Sequence, residues 1–458
     1  MTVQIKELVQ AQRNFFLSEE THDYRFRINM LRSLRSMLEK YEKSIYKALK
    51  QDLNKSNFDA FTTELGFLYN EIKHTENNLK DWMKDDPIDA PLTHKGTKNF
   101  IRKEPYGVTL VMSPWNYPLQ LALAPAIGAI AAGNTVVIKP SEYSPSTSSL
   151  LAKIIGETFD SKFIAVVEGA KEISQELLNQ RFDYIFFTGS TAVGKVVMRE
   201  ASKFLTPVTL ELGGKSPAII DKDANISLTA KRLVWGKFTN AGQTCVAPDY
   251  LYVHDQIKDK LLKEMKKQIK KMYSKNALQY DKFARIINEN HFNRLSAYLS
   301  NGTIVYGGDI DQDQLKIEPT ILDSVTWDAP VMQDEIFGPI LPVLTFNNID
   351  EVITELKHRE KPLALYYFGE KEKNQEKVMT RLSFGGGCVN DTLYHLANPN
   401  LPFGGVGQSG MGGYHGKHSF DTFSHHKSIL KQTTKFDIPL RYPGGGKLAF
   451  SLIKKLMK

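Results

Sequence analysis

Cysteine is scarce. The chain holds two in 458 residues, Cys245 and Cys388, and they form no CxxC pair. That excludes a disulfide framework and a cysteine-based zinc site, and it suits a reducing compartment. A large charge of one sign is also missing: 59 Lys plus Arg against 51 Asp plus Glu leave +8 over the whole length. The densest basic stretch, Lys258 to Lys275, sets its lysines around Leu261, Leu262, Met265 and Ile269 at helical spacing. With no groove-reading motif beside it, this is a solvated helix face, and nucleic acid is not an expected partner. Long unbroken apolar runs are absent too. The most apolar region, Val108 to Ile138, is interrupted by Pro114, Asn116, Pro118, Pro125, Gly128, Gly133 and Asn134, whereas a spanning helix needs about 20 mostly unbroken apolar residues. The first residues, MTVQIKELVQAQ, lack the apolar core of a secretory signal, so a cytoplasmic protein is expected.

What is present is ordinary for a large globular chain: 41% apolar and 24% charged residues. Such a length buries a core without metal or disulfide staples. Ile28, Leu31, Leu34, Leu38, Tyr41, Ile45 and Leu49 recur in steps of three and four, which predicts an amphipathic helix over 25–50. From about residue 105 short apolar runs alternate with helical stretches. Val108–Met112, Thr135–Ile138, Phe163–Val167 and Tyr184–Phe187 read as buried strands, with helices near 118–131, 145–158, 171–179 and 192–204. This alternation predicts a parallel sheet covered on both faces, with ligands at the carboxyl ends of its strands. A second α/β unit follows, with strands at Ala218–Ile220, Leu251–Val253, Ile340–Val343 and Ala364–Phe368 and helices over 224–239 and 256–273. After Ser383 the composition turns glycine-rich, which predicts loops and close backbone approaches.

The strand-to-loop junctions carry the chemistry. Phe187 to Gly194 (FTGSTAVG) follows a strand and opens a helix, so Gly189, Ser190 and Gly194 could admit a phosphate at the helix N-terminus. The dinucleotide pattern GxGxxG fails at Thr191, and a P-loop lacks its hydroxyl because Val196 follows Lys195; a plain tight turn into a helix remains open. Lys139 ends another strand, where it could reach ribose hydroxyls, and Glu142 would repel a 2′-phosphate. Cys388 sits in an apolar run after three glycines, as an inert thiol does, whereas Cys245 lies among small and polar residues that leave a nucleophile accessible. Glu211 ends a strand-like run beside Gly213 and Gly214; it either faces a cleft or sits in solvent. Asn116, in Ser113-Pro114-Trp115-Asn116-Tyr117-Pro118, either presents a fixed amide donor or bonds its own turn.

Taken together these motifs resemble the aldehyde dehydrogenase family. PWNYP (114–118), KPSE (139–142), FTGSTAVG (187–194), ELGGKSP (211–217), GQTC ending at Cys245, EIFGP (335–339) and PFGGVGQSGMG (402–412) run in family order with family spacing. The length, Tyr117, and YHGKHSFDTFSH (414–425) look most like the class 3 and fatty aldehyde branch. The resemblance implies a fold of two doubly wound, Rossmann-like α/β domains plus a small bridging segment that joins a homodimer. The boundaries expected are 1–208 for N-terminal helices and the NAD(P)-binding domain (with an excursion near 84–103 to the bridge), 209–392 for the catalytic domain, 393–430 for the bridge and 431–458 for a basic tail. It also implies roles. Cys245 would be the nucleophile, Glu211 the base, and Asn116 an oxyanion donor with the Cys245 N–H. Lys139 would hold the adenosine ribose with Glu142 nearby, and Gly189, Ser190 and Gly194 the pyrophosphate. Glu335 would hold the nicotinamide ribose, Phe337 would lie near its ring, and Tyr117 and Phe403 would line the substrate pocket. The expected reaction is NAD-dependent oxidation of a medium- or long-chain aliphatic or an aromatic aldehyde to the acid, through a thiohemiacetal and a thioester on Cys245, without a metal. NADP stays open as the cofactor, because class 3 relatives with a similar loop accept it. The rival readings are a CoA-acylating enzyme, against which Glu211 argues, and a non-catalytic relative.

The tail stands apart. After Pro443-Gly444-Gly445-Gly446, apolar positions 448, 449, 452, 453 and 456 share one helical face flanked by lysines. Residues 447–458 read equally as a weak membrane-surface helix, as a segment packed on its own subunit, or as disorder.

Overall fold

The computed structural model describes residues 2–444 and 446–457. Two sheets dominate it. The first has the order Gly410–Met411, Val208–Glu211, Tyr184–Thr188, Val108–Met112, Thr135–Lys139, Ile164–Val166, parallel except for the two-residue strand at its edge. Alternation along each strand feeds two cores. Val108, Leu110 and Met112 pack with Val137, Ile185 and Leu210 beneath the N-terminal helix Thr2–Leu17, through its Ile5 and Val9. Val111, Val136, Ile138 and Phe186 face the opposite way, toward the helix Tyr24–Leu53 and the helix Gln120–Ala132. The latter is buried on every side, which accounts for the apolar stretch that approached membrane-span length: it resolves into strand, loop, helix and strand.

The second sheet has the order Thr303–Tyr306, Thr320–Asp323, Ile340–Phe346, Tyr250–His254, Pro217–Ile220, Ala364–Phe368, Gly386–Val389, again parallel apart from its first strand. Because the strands within each sheet run one way, the loops that follow their carboxyl ends gather along one edge of that sheet. A three-stranded antiparallel arm stands outside both. Asp86–Ile88 pairs with Thr97–Pro105, which pairs over nine residues with Ser424–Gln432.

Two expectations are corrected. The domain change does not come at residue 208, because Val208–Glu211 pairs in parallel with Tyr184–Thr188 and belongs to the first sheet; the chain crosses over through 212–216. Gly386–Val389, expected as loop, is a parallel edge strand on Ala364–Phe368. Glycine suits it for a local reason: a Cβ at Gly387 would lie 2.0 Å from the Leu365 carbonyl oxygen.

The tail forms the helix Lys447–Met457, with Leu448 (89% exposed), Phe450, Leu452 and Met457 in solvent. Gly445, Lys458 and the side chain of Leu456 lie outside the described residues. Among the described residues no helix is long and apolar enough to cross a membrane, and no cluster of three metal-ligating side chains occurs.

Candidate active site

The site is built where loops of the two sheets interlock. Leaving the strand Val108–Met112, the chain enters the rigid Pro114–Pro118 loop, tied back by the Ser113 N–H to the Lys139 carbonyl at 3.1 Å. The Asn116 side chain does not bond its own turn. Its amide donates across to the Gln243 carbonyl at 3.1 Å, two residues before Cys245. The Asn116 carbonyl in turn accepts from the Asn240 amide at 3.0 Å, and the Tyr117 hydroxyl meets Thr244 at 2.6 Å. Three bonds thus join one loop of the first sheet to the Cys245 loop.

That second loop is held by its own backbone. Asn240, Ala241 and Gly242 all take left-handed φ values, 53°, 52° and 73°. Such conformations are costly outside glycine and survive where the surroundings over-determine them. Here the fully buried Gln243 does so: its amide donates to the Asn240 and Arg285 carbonyls, and its oxygen accepts from the Ile287 N–H. At Gly242 a Cβ would stand 2.2 Å from the Gly338 carbonyl, so only glycine fits.

Glu211 is the last residue of its strand, 2% exposed, and neither carboxyl oxygen has a hydrogen-bond partner in the chain. Burial holds its carboxyl well above the usual range. Cys245 is half-buried, and burial pushes its thiol up, reinforced by the charges of Glu335 and Glu211. Both carboxyls therefore lie within electrostatic reach of the sulfur. The N–H groups of Cys245 and Val246 oppose this by pointing at the same atom. Glu335 is raised to about 8, by burial first and by Asp249 second, while the Gly214 N–H donates to it. Its carboxyl presses on Gly213, where a Cβ would lie 1.9 Å from Oε2. Phe337, in a left-handed conformation, meets Trp115 edge-on at 5.3 Å between ring centres.

The remaining expected residues lie at neighbouring strand ends of the first sheet. Lys139 is buried and its Nζ bonds Glu142 at 2.9 Å. Beside it is a cavity of about 190 Å³ lined by Pro140, Ser141, Glu142, Ser148, Glu168 and Gly169. Ser190 caps the helix Thr191–Ser202 by accepting from the Val193 N–H at 3.4 Å, and Gly189 and Ser190 stand at its accessible N-terminus. Gly194 is buried under Leu212, which a Cβ would meet at 2.8 Å, so helix packing by itself accounts for that glycine. A larger groove of about 460 Å³, lined by Tyr252, Lys258, Asp323 and Trp327 among others, contains none of these residues.

Phe403 is buried against Tyr414 and stacks on His415 at 5.3 Å. Tyr414 reaches the site: burial raises its phenol, and the charges of Glu211 and Cys245 add to the shift. Cys388 is half-buried in its edge strand, with Sγ 3.4 Å from His395 Nδ1. Sequence reasoning passed over Asn240, Gln243 and Tyr414, although all three lie in or beside stretches it had singled out. It also passed over Lys55 and Glu64, whose buried charges look like any solvated helix charges when read linearly.

Comparison with known proteins comes to the same point. The aldehyde dehydrogenase family profile matches residues 2–429. The chain is 50% identical over 431 residues to the 4,4′-diaponeurosporen-aldehyde dehydrogenase of Staphylococcus aureus, covering 94% of each chain. It is 45% identical to the rat aldehyde dehydrogenase described as dimeric and NADP-preferring, covering 93% of this chain and 94% of that one. Among solved structures, the substrate-bound state of Staphylococcus aureus AldH superposes with a TM-score of 0.97 at 48% identity, over 99% of both chains.

Cys245 surrounded by two carboxyls and little solvent is expected to be a poor nucleophile in the free protein. A thiolate forms only above the raised pKa, so reactivity grows with pH. Alkylation by iodoacetamide, followed residue by residue by mass spectrometry, should be at least about tenfold slower at Cys245 than at a free cysteine at pH 7. It should climb steeply above pH 9, and Glu335→Gln should speed it. A rate that is flat from pH 6 to 10 would contradict the electrostatics.

Proposed function

The chain belongs to the aldehyde dehydrogenase family, and from that premise we propose that it oxidises a medium- or long-chain aliphatic or an aromatic aldehyde to the carboxylic acid on Cys245. The observation that carries the reading is convergence: the Asn116 amide is bonded to the loop of Cys245, and an unpartnered, buried Glu211 lies within electrostatic reach of the sulfur. Tyr117 and Phe403 are assigned to the substrate side of the site, where their buried aromatic rings, with that of Tyr414, would suit an apolar substrate.

Cys245 gives up its thiol proton to solvent, the thiolate sulfur attacks the carbonyl carbon, and the π pair of the C=O bond moves onto oxygen. One Asn116 amide hydrogen is engaged by Gln243; the other, with the Cys245 N–H, stabilises that oxyanion, a donor whose loss costs about 2.7–4 kcal/mol in comparable sites. NAD(P), when bound, supplies the hydride acceptor that no side chain provides. The residues present fit such a dinucleotide. Lys139 lies beside a cavity of about 190 Å³, the Ser190 helix terminus suits an anion, and Glu335 is held against Gly213 and Gly214. Lys139 would hold the adenosine ribose, Gly189 and Ser190 the pyrophosphate end with Gly194 packed behind them, and Glu335 with Phe337 the nicotinamide side. Glu211, kept basic by its raised pKa, takes a proton from water as that water attacks the thioester carbon; the C–S bond then breaks, and the acid and the Cys245 thiolate are released. Its carboxyl must be ionised to do so, so hydrolysis speeds up as pH rises.

Cys245→Ser should lower turnover by at least about 10³-fold, judged by the loss of comparable nucleophiles. Glu211→Gln should give one burst of NADH per site and then stall, with acyl-enzyme visible by mass spectrometry. Steady cycling by Glu211→Gln would assign the base elsewhere.

Glu142 and Glu168 line the cavity beside Lys139; Lys139 offsets the charge of Glu142, with which it pairs, and the negative charge that remains would disfavour a 2′-phosphate and favour NAD. Glu142→Gln should raise kcat/KM for NADP about fivefold, the worth of roughly 1 kcal/mol of repulsion. An unchanged NAD to NADP ratio would remove Glu142 from the choice.

The protein is assigned as a cytoplasmic homodimer joined through the arm of 97–105 and 424–432, whose outer strand has an open edge. The tail helix, with Leu448, Phe450 and Leu452 in solvent and Lys447, Lys454 and Lys455 around them, suits an anionic lipid surface. Sedimentation with phosphatidylglycerol vesicles should pull down the full chain weakly and reversibly, and deleting 444–458 should abolish it. Equal sedimentation of both forms would dismiss the contact.

A further inference from the structure

Lys55 and Glu64 form an ion pair whose side chains are 2% and 0% exposed, and neither has a part in the chemistry assigned above. Every direction of the ammonium is used. Its Nζ donates to Glu64 Oε1 at 2.5 Å and to the Asn116 carbonyl at 3.1 Å, and it stands 4.1 Å from the centre of the Tyr117 ring. The other Glu64 oxygen accepts the Leu119 N–H at 2.9 Å and the Gln120 N–H at 3.1 Å, at the start of the helix Gln120–Ala132. One ion pair thus grips both ends of the segment 116–120. Glu64 is presented by a single π-helical turn, Phe61–Leu65, a conformation that is rare and concentrated at functional sites.

Desolvation makes a buried ion pair a poor device for stability alone, since an apolar pair of similar volume often serves as well or better. What charges add is direction. The ammonium fixes the Asn116 carbonyl, and with it the plane of the loop whose amide reaches Gln243. The carboxylate fixes the first turn of the helix behind that loop.

We propose that Lys55 and Glu64 are positioning residues that act through Asn116, holding its amide in register with the Cys245 loop; this rests on reading Asn116 as the oxyanion donor. Misplacement of a reacting group by about 1 Å costs roughly 10²-fold in rate, so a loosened Asn116 loop should slow chemistry and leave cofactor binding alone.

The test is a double-mutant cycle read by the rate of the first NADH burst, with NAD affinity and melting temperature measured alongside. Lys55→Met alone strands a buried carboxylate and risks unfolding. The working variant is therefore Lys55→Met with Glu64→Gln, which is neutral and keeps an acceptor for the helix N–H groups. It should melt near the parent, bind NAD with unchanged affinity and burst about 10- to 100-fold more slowly, with Lys55→Arg restoring part of the rate. Asn116→Ala should by itself lose about 10²-fold or more, and adding the pair variant to it should lower the rate no further. A parental burst rate in the pair variant, losses that multiply in the Asn116→Ala background, or losses that simply follow melting temperature would each overturn the proposal. A parental burst rate in Asn116→Ala would instead overturn the reading of Asn116 itself.

Discussion

Everything at this site follows from bringing three ionisable groups together, the buried Glu211 and the half-buried Cys245 and Glu335, where few charged partners offset one another. Burial raises each of them, and for the thiol the two carboxyls raise it further. Charge in such a place is stabilised by few neighbours, so each group favours its neutral form until chemistry or a ligand changes its surroundings. The fold thus holds a thiol and two carboxyls close together, each shifted toward its neutral form.

Solvent cannot organise such a site, so backbone and amide bonds do. Asn116, Asn240 and Gln243 bond one another's carbonyls across the seam between the two sheets. Gln243 reaches on to Arg285 and Ile287 and keeps the left-handed run 240–242 in place. On the far side Lys55 and Glu64 grip the same loop from a helical segment that contributes nothing to either sheet. Displacing any one of these partners would leave a buried polar group unpaired, which costs more than the bond itself is worth.

Much of this was legible along the chain. Buried parallel strands announce themselves as short apolar runs, and Val108–Met112 and Ala364–Phe368 have the bounds that the pattern predicts. Cys245 stood out by its polar neighbours, and Glu211 by ending a strand before two glycines. The misreadings share one cause. Gly386–Val389 has the composition of a loop, and it becomes a strand because Ala364–Phe368 offers an edge that glycine can approach closely. The boundary was expected at 208, yet the strand carrying Glu211 pairs with Tyr184–Thr188. Lys55 and Glu64 left no mark at all, since a lysine just past a helix end and a glutamate on a helical turn read as surface until their neighbours are known.

Local patterns along the chain determined many of the elements and the parallel character of both sheets, and they singled out the candidate reactive side chains, because periodicity and residue chemistry are properties of short stretches. Tertiary structure alone decided that Glu211 lies buried without a partner, that Asn116 turns to the Cys245 loop rather than to its own, and that Lys55 and Glu64 meet behind them. Those are facts about contacts between residues from nine to 127 apart, and burial and electrostatics act through space, not along the chain.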